Sequence, residues 1–410
     1  VVSYEEALQI VLAHTPVQPA EEAPLSDCAG RALAAEVYAD QDNPPYTRSA
    51  MDGYALRAED VAPAPAQLRV VDHLAAGHSP SRAIGPGECA KIMTGAVVPA
   101  GADTVVMLED TSEAGAEGVI IARPPRRGDN ICLQGENFRA GDKLLPAGQT
   151  IGAPVAALLA TLGRDPVPVH RRPTVSHLAT GDEVVPVGST PRRGQVRDSN
   201  SVGFSALLAP LGLRVENLGI AADNRETLAG MMQRGLQSDV FAVTAGVSRG
   251  DCDYVPEVLG ELGVEVLFET VALKPGKPTI FGKRGDKVVF GLPGNPVAAQ
   301  VVTQLLVLPA LRRMSGHLAC LPPTVTATLT EPCSHRPKRR SQLPAIVRCE
   351  AGRLLVTPVP YRGSGDMLGL ARGNALLVLA AGVAAWAAGD QVEVVLTGAP
   401  FVPPLPLGPA

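Results

Sequence analysis

Aromatic residues are scarce: Phe 7, Tyr 6 and Trp 1 in a chain of 410, or 3%. A single-stranded nucleic-acid binder built on base-stacking platforms needs more of them. There is no basic excess either. Lys and Arg number 36 against 41 Asp and Glu, a net charge of −5, where a nucleic-acid-binding domain is normally basic. No nucleic-acid partner is therefore expected. Long apolar runs are also missing. The longest uncharged, mostly apolar stretch, Ala375–Gly389, falls short of the about 20 residues that span a bilayer, and no signal-peptide pattern opens the chain. No membrane partner is expected. The cysteines are 7, an odd number without a C-x-x-C, which supports neither a disulfide framework nor a zinc knuckle. A reducing cytoplasm is the expected compartment. G-x-S-x-G, H-E-x-x-H and the Walker P-loop are all absent.

Gly and Pro are plentiful, 42 and 38, and scattered without a period, so many turns and short strands are expected. Ser3-x-x-Glu6 is a capping-box pattern ahead of an amphipathic helix. Residues 41–139 read as a β-rich domain with long loops; 1–40, continued by 140–172, read as a helical and linking domain. Residues 173–318 alternate apolar strands with helical patterns. The strands fall at Thr174–Ala179, Arg214–Ala221, Asp239–Thr244 and Val264–Leu273, then a hairpin and a long helix near 296–314. Such alternation predicts a mostly parallel, doubly wound α/β sheet, whose ligands sit outside the C-terminal strand ends. Residues 319–410 return to short strands and predict a small β-barrel.

The informative loops lie at those strand ends. Thr244–Gly250 (T-A-G-V-S-R-G) follows a strand and precedes a helix, so that Gly246, Ser248 and Gly250 would let backbone N–H groups approach an oxyanion. Asp251 and Asp253 crowd the same turn; two carboxylates there suit a divalent cation, though an N-cap plus a solvated charge explains them equally well. Lys274-Pro275-Gly276-Lys277-Pro278 holds two lysines on a stiffened turn, suited to phosphate or a molybdate-like anion, beside the plainer reading of a solvated turn. In Gly291–Pro296, Asn295 and Pro296 fit an N-cap and first helical residue, while Pro293 and Gly294 shape a tight bend. Thr180–Glu183 (T-G-D-E) and Gly194–Asn200 (G-Q-V-R-D-S-N) complete the set, Asp198 and Ser199 serving as cap or ligand. The basic run at 335–340 reads as a solvated turn that could meet an anion.

Together these loops resemble one family, the molybdopterin molybdotransferases: the MoeA proteins and the E domain of gephyrin. The likeness covers essentially the whole chain. Its motifs stand in order: D-x-P-P-x-x-x-S-x-M-D-G-Y-A (Asp42–Ala55), M-T-G-A-x-V-P-x-G-A-D-x-V-V (Met93–Val106), then T-G-D-E, G-x-V-x-D-S-N, G-V-S-x-G-x-x-D-Y (Gly246–Tyr254), K-P-G-K-P and G-L-P-G-N-P. The resemblance implies a MogA-like α/β domain and a reaction that inserts molybdate into adenylylated molybdopterin (molybdopterin-AMP), with Mg²⁺-assisted loss of AMP. It implies a homodimer whose site is shared between subunits, and a MogA-like adenylyltransferase as a partner. Asp52, Thr94, Glu183, Asp253, Lys274 and Lys277 match its catalytic positions. Pro293 and Pro296 match binding positions, and Asp239 is carried over as a further metal position beside Asp253 and the Asp251 of the same turn. Cys132, Asn137, Ala245 and Pro344 depart from the usual residues. A catalytically weakened pterin-binding or scaffold protein of the same fold is the alternative.

Overall fold

The computed structural model describes residues 1–115, 117–247, 254–336 and 338–398. The chain divides into two compact units, one of Val1–Ala35, Ala147–Ala160 and Arg164–Ala410, the other of Glu36–Pro146 and Thr161–Gly163.

The first unit is centred on a six-stranded sheet. Val215–Ala221, Val175–Thr180, Val240–Thr244 and Lys287–Leu292 run parallel in that order, and Pro278–Arg284 and Glu265–Thr270 extend the sheet antiparallel. Val175–Thr180 and Val240–Thr244 are buried at every position, which is why they read as continuous apolar runs. Helices cover both faces. Phe281, Phe290, Leu305 and Leu306 anchor one core and Phe241, Leu178 and Met232 the other. Burying one such side chain contributes roughly 1.5–3 kcal/mol. The expected capping box is present: Ser3 Oγ accepts the Glu6 N–H at 3.1 Å, and the Glu6 carboxylate accepts the Ser3 N–H at 2.8 Å.

Two elements differ from the sequence expectation. The strand expected over Val264–Leu273 ends at Thr270. There the chain folds back, Val271 N–H donating to Lys277 at 2.9 Å, and Leu273–Lys274 pairs instead with Arg340–Ser341. The long helix is α-helical over Pro296–Val302 and Leu308–Met314 but widens to a π turn over Thr303–Val307. Pro309 cannot donate to the carbonyl four residues back, and the wider pitch accommodates that missing bond.

Five strands close the C-terminal barrel. Arg340–Glu350 pairs with both Arg353–Pro358 and Ala375–Leu379, and Thr324–Leu329 and Gln391–Leu396 complete the ring. Leu343, Ala345 and Val347 point into it. Gln342 points the other way, beside Val378, toward the α/β core. It is 0% exposed, and neither amide atom has a partner among the described residues. An unsatisfied buried polar group costs about 1–3 kcal/mol, and Met is a flexible apolar side chain of similar length. Gln342→Met should therefore raise stability by about 1–2 kcal/mol, read as an upward shift in denaturant midpoint.

The second unit contains a six-stranded, largely antiparallel sheet in the order Thr104–Met107, Gly53–Leu56, Glu88–Ile92, Ala66–Leu74, Gly118–Ile121, Thr111–Glu113. At Gly53 a side chain is impossible: a Cβ there would stand 1.9 Å from the Val106 carbonyl oxygen. No helix among the described residues is long and apolar enough to cross a membrane.

Candidate active site

Four parallel strands end on one edge of the sheet, and their loops enclose a cavity of about 770 Å³. Glu183, Asp198, Ser199 and Gly246 line it, as do Pro293, Gly294, Asn295 and Pro296. Asp198, not Ser199, caps the following helix: Asp198 Oδ1 accepts the Ser201 N–H at 3.0 Å, and the Ser199 side chain makes no cap bond. Asn295 occupies an N-cap position, but its side chain caps nothing. Asp223, which the sequence reading passed over, lines the same cavity. Its loop is tied to the T-G-D-E loop by two bonds: Asp223 N–H to Asp182 Oδ1 at 3.0 Å, and Asp182 N–H to Asp223 Oδ2 at 3.3 Å. Two buried polar atoms on this wall, Asn200 Oδ1 and Thr244 Oγ1, have no partner among the described residues. Asn200 Nδ2 donates to the Gly294 carbonyl at 2.9 Å, which fixes the amide and leaves Oδ1 as an unused acceptor.

Lys274 and Lys277 line a second cavity, of about 660 Å³, which shares Pro278, Pro293 and Asn295 with the first. The lysine turn is rigid. Gly276 has φ +119°, and a Cβ there would stand 2.6 Å from Val302. Thr279 Oγ1 donates to the Gly276 carbonyl at 2.7 Å. Both lysines are exposed, and among the described residues neither has a carboxylate partner. His335, Arg339 and Arg362 come to the same cavity from the barrel side, with no carboxylate on its lining among the described residues. The basic run at 335–340, read as a solvated turn, thus contributes His335 and Arg339 to an anion-attracting wall. His335 donates from Nε2 to the Val383 carbonyl at 2.9 Å and lies beside Trp386, ring centroids 5.4 Å apart and planes tilted by 46°.

Asp239 is not brought to this edge. It begins its strand at the opposite end of the sheet, held by the Arg171 guanidinium through two contacts of 3.0 Å and by Thr174 N–H at 2.7 Å. Ser248, Gly250, Asp251 and Asp253 lie outside the described residues. Asp52 and Thr94 belong to the second unit, where Gly53 pairs with Ile92 and sets the two turns side by side. Asp52 Oδ1 accepts Thr94 N–H at 2.7 Å and Thr94 Oγ1–H at 2.8 Å. These bonds, the backbone one first, hold the carboxyl below its ordinary range.

Ala245, between Thr244 and Gly246, has φ +72°, a conformation that costs a residue with a Cβ roughly 1–2 kcal/mol. Ala245→Gly should stabilise by about 0.5–1 kcal/mol after the larger unfolded-state entropy of Gly is subtracted. Thermal unfolding of the variant measures it.

Three family descriptions match in order: "MoeA N-terminal region (domain I and II)" over residues 2–163, "Probable molybdopterin binding domain" over 176–313, and "MoeA C-terminal region (domain IV)" over 326–397. A molybdopterin molybdenumtransferase of Staphylococcus epidermidis is 35% identical over 382 residues, covering 91% of this chain and 90% of the relative. The chain belongs to the MoeA family. A second MoeA-family relative, the molybdopterin molybdenumtransferase of Staphylococcus aureus, is 34% identical over 398 residues, with 96% and 95% covered. Two crystal structures of the molybdopterin biosynthesis MoeA protein of Pyrococcus horikoshii superpose with TM-scores of 0.81 and 0.83, at 32% and 27% identity, each covering 97% of this chain and 100% of the other. At two departures from the MoeA motifs the structure gives a local role. Asn137 Nδ2 donates to Asn43 Oδ1 at 2.8 Å, and Cys132 lies on a short strand paired with Arg48.

Proposed function

We propose that this chain carries out the final metal-loading chemistry of molybdenum cofactor biosynthesis: it transfers molybdate to adenylylated molybdopterin and releases AMP. One observation carries the reading. A cavity walled by Lys274, Lys277, Arg339 and Arg362 adjoins one where a buried acceptor, Asn200 Oδ1, and a buried hydroxyl, Thr244 Oγ1, have no partner among the described residues. The first suits an oxyanion, phosphate or molybdate; the second suits a heterocycle rich in N–H and C=O groups.

In this reading the lysines and arginines hold the oxyanion and offset charge that builds on the phosphate oxygens as the P–O–P link opens. The rigid backbone of the lysine turn means little reorganisation there at that moment. Glu183 and Asp223 are carboxylates of the kind Mg²⁺ takes, and Asp251 and Asp253 add two more in sequence. Bound there, Mg²⁺ would supply Lewis-acid neutralisation of the phosphates. Asp52 and Thr94 act from the partner subunit of a homodimer. The substrate requires an upstream reaction that adenylylates the pterin phosphate, the role of a MogA-like partner, and the compartment is the cytoplasm.

Expression in a strain lacking molybdenumtransferase activity tests the proposal. Restored molybdoenzyme activity supports it. Well-folded protein without rescue would return the chain to the scaffold alternative.

A further inference from the structure

Asp198 is 8% exposed and lines both the larger cavity and a neighbouring cleft of about 590 Å³. Both its oxygens are held by one residue. Oδ1 accepts the Ser201 N–H at 3.0 Å, and Oδ2 accepts the Ser201 hydroxyl. Ser201 Oγ in turn lies 3.1 Å from His177 Nδ1. His177 is 0% exposed, in the middle of Val175–Thr180, and stacks on Phe204 with ring centroids 5.0 Å apart and planes 30° apart. Its Nε2 has no partner among the described residues.

The proton positions follow from counting. A serine hydroxyl has one proton, and Ser201 gives it to Asp198. His177 Nδ1 must then carry a hydrogen and donate to Ser201 Oγ. Burial pushes the His177 pKa down to about 4, so the ring is neutral near pH 7 and Nε2 is a bare lone pair in an apolar core. Helix capping does not require this. The Ser201 N–H is already satisfied by Asp198 Oδ1, and one acceptor is all a cap supplies. The Ser201 hydroxyl and His177 are additional, and the unmet Nε2 costs stability that a phenylalanine in the same place would not. The apparatus instead acts on the second carboxylate oxygen, on the residue that divides two cavities.

We infer that Ser201 and His177 are positioning residues: the chain His177 Nδ1–H to Ser201 Oγ–H to Asp198 locks the carboxylate rotamer so that its remaining lone pairs face the cavity and accept N–H donors of the bound heterocycle. The inference rests on the function proposed above and deepens it. It assigns to Ser201 and His177 an effect on ligand affinity that neither exerts by touching the ligand.

His177→Phe keeps the ring stack on Phe204 and removes the Nδ1 donor; Ser201→Ala removes the middle link. Calorimetric titration with adenylylated molybdopterin should show each variant binding about tenfold more weakly than wild type. The loss should appear in KM rather than kcat, and His177→Phe should melt at or above the wild-type temperature. Nitrogen-15 NMR of labelled histidine in the wild type should find the His177 ring protonated at Nδ1, the signal that His177→Phe deletes. Wild-type affinity in both variants, a loss of affinity that follows a fall in melting temperature, or a ring protonated at Nε2 would overturn the inference. If the wild type itself binds no adenylylated molybdopterin, the proposed function falls, and the tautomer still decides the relay.

Discussion

Lys274→Ala should weaken binding of adenylylated molybdopterin ten- to a hundredfold, Lys277→Ala should do the same, and the double variant should show no turnover. Charge-assisted contacts contribute roughly 1.5–3 kcal/mol each, which is that range of affinity. The two lysines stand on a turn whose backbone is locked by Thr279 and by Gly276 against Val302, so each side chain starts from a fixed Cα. Arg339 and Arg362 remain in the single variants and keep some anion affinity. Trp386 is the only tryptophan of the chain and lies against His335, which lines this cavity, so its fluorescence can report the titration. Both lysines are exposed, so melting temperatures should stay at the wild-type value. A solvated turn with no ligand would instead give near-neutral affinity changes.

Asp52→Asn should abolish activity while leaving thermal stability essentially unchanged. The carboxylate is exposed and takes two hydrogen bonds from Thr94, both to Oδ1. An asparagine carbonyl can accept the same two bonds, so the turn survives and only the charge is lost. The sign of the pH effect is fixed as well. The folded pKa lies below the ordinary 3.8, so whatever the bonds to Thr94 add to stability is present above that value and is lost as pH falls through the lower one. Any change in activity above about pH 5 must therefore come from another group. The proposed homodimer adds a sharper test. Mixed dimers of Asp52→Asn with Lys274→Ala should regain one working site, assayed after purification of the doubly tagged heterodimer. Heterodimers without activity would place the whole site within one chain.

The α/β order was legible because buried parallel strands leave unbroken apolar runs, as in Val240–Thr244, and because the loops after Val175–Thr180, Val240–Thr244 and Lys287–Leu292 each carry glycine and a polar residue. Elements whose identity depends on partners were not. Nothing local in Val264–Leu273 tells that Leu273 leaves one sheet for another; the barrel strand Arg340–Glu350 decides it. The lysine loop could be read alone, whereas Arg339 and Arg362 join it from the barrel, 62 and 85 residues beyond Lys277, through packing that no motif encodes. Asn295 and Ser199 were plausible caps by residue type, but Asp198 had the reach to Ser201 N–H, and the Asn295 side chain makes no cap bond. Asp223 could have been found by the same strand-end rule as Glu183, since it follows Val215–Ala221 and precedes the helix cap Asn224. Asp239 entered by family position alone, and the structure pairs it with Arg171 at the far end of its strand.

The most direct measurement incubates the purified protein with adenylylated molybdopterin, molybdate and Mg²⁺, and follows AMP and pterin-bound molybdenum together. One AMP released per molybdenum bound, with neither formed when molybdate is withheld or both lysines are replaced by alanine, is the predicted result. Absence of AMP above the protein-free control, or AMP release with no molybdenum on the pterin, would contradict it.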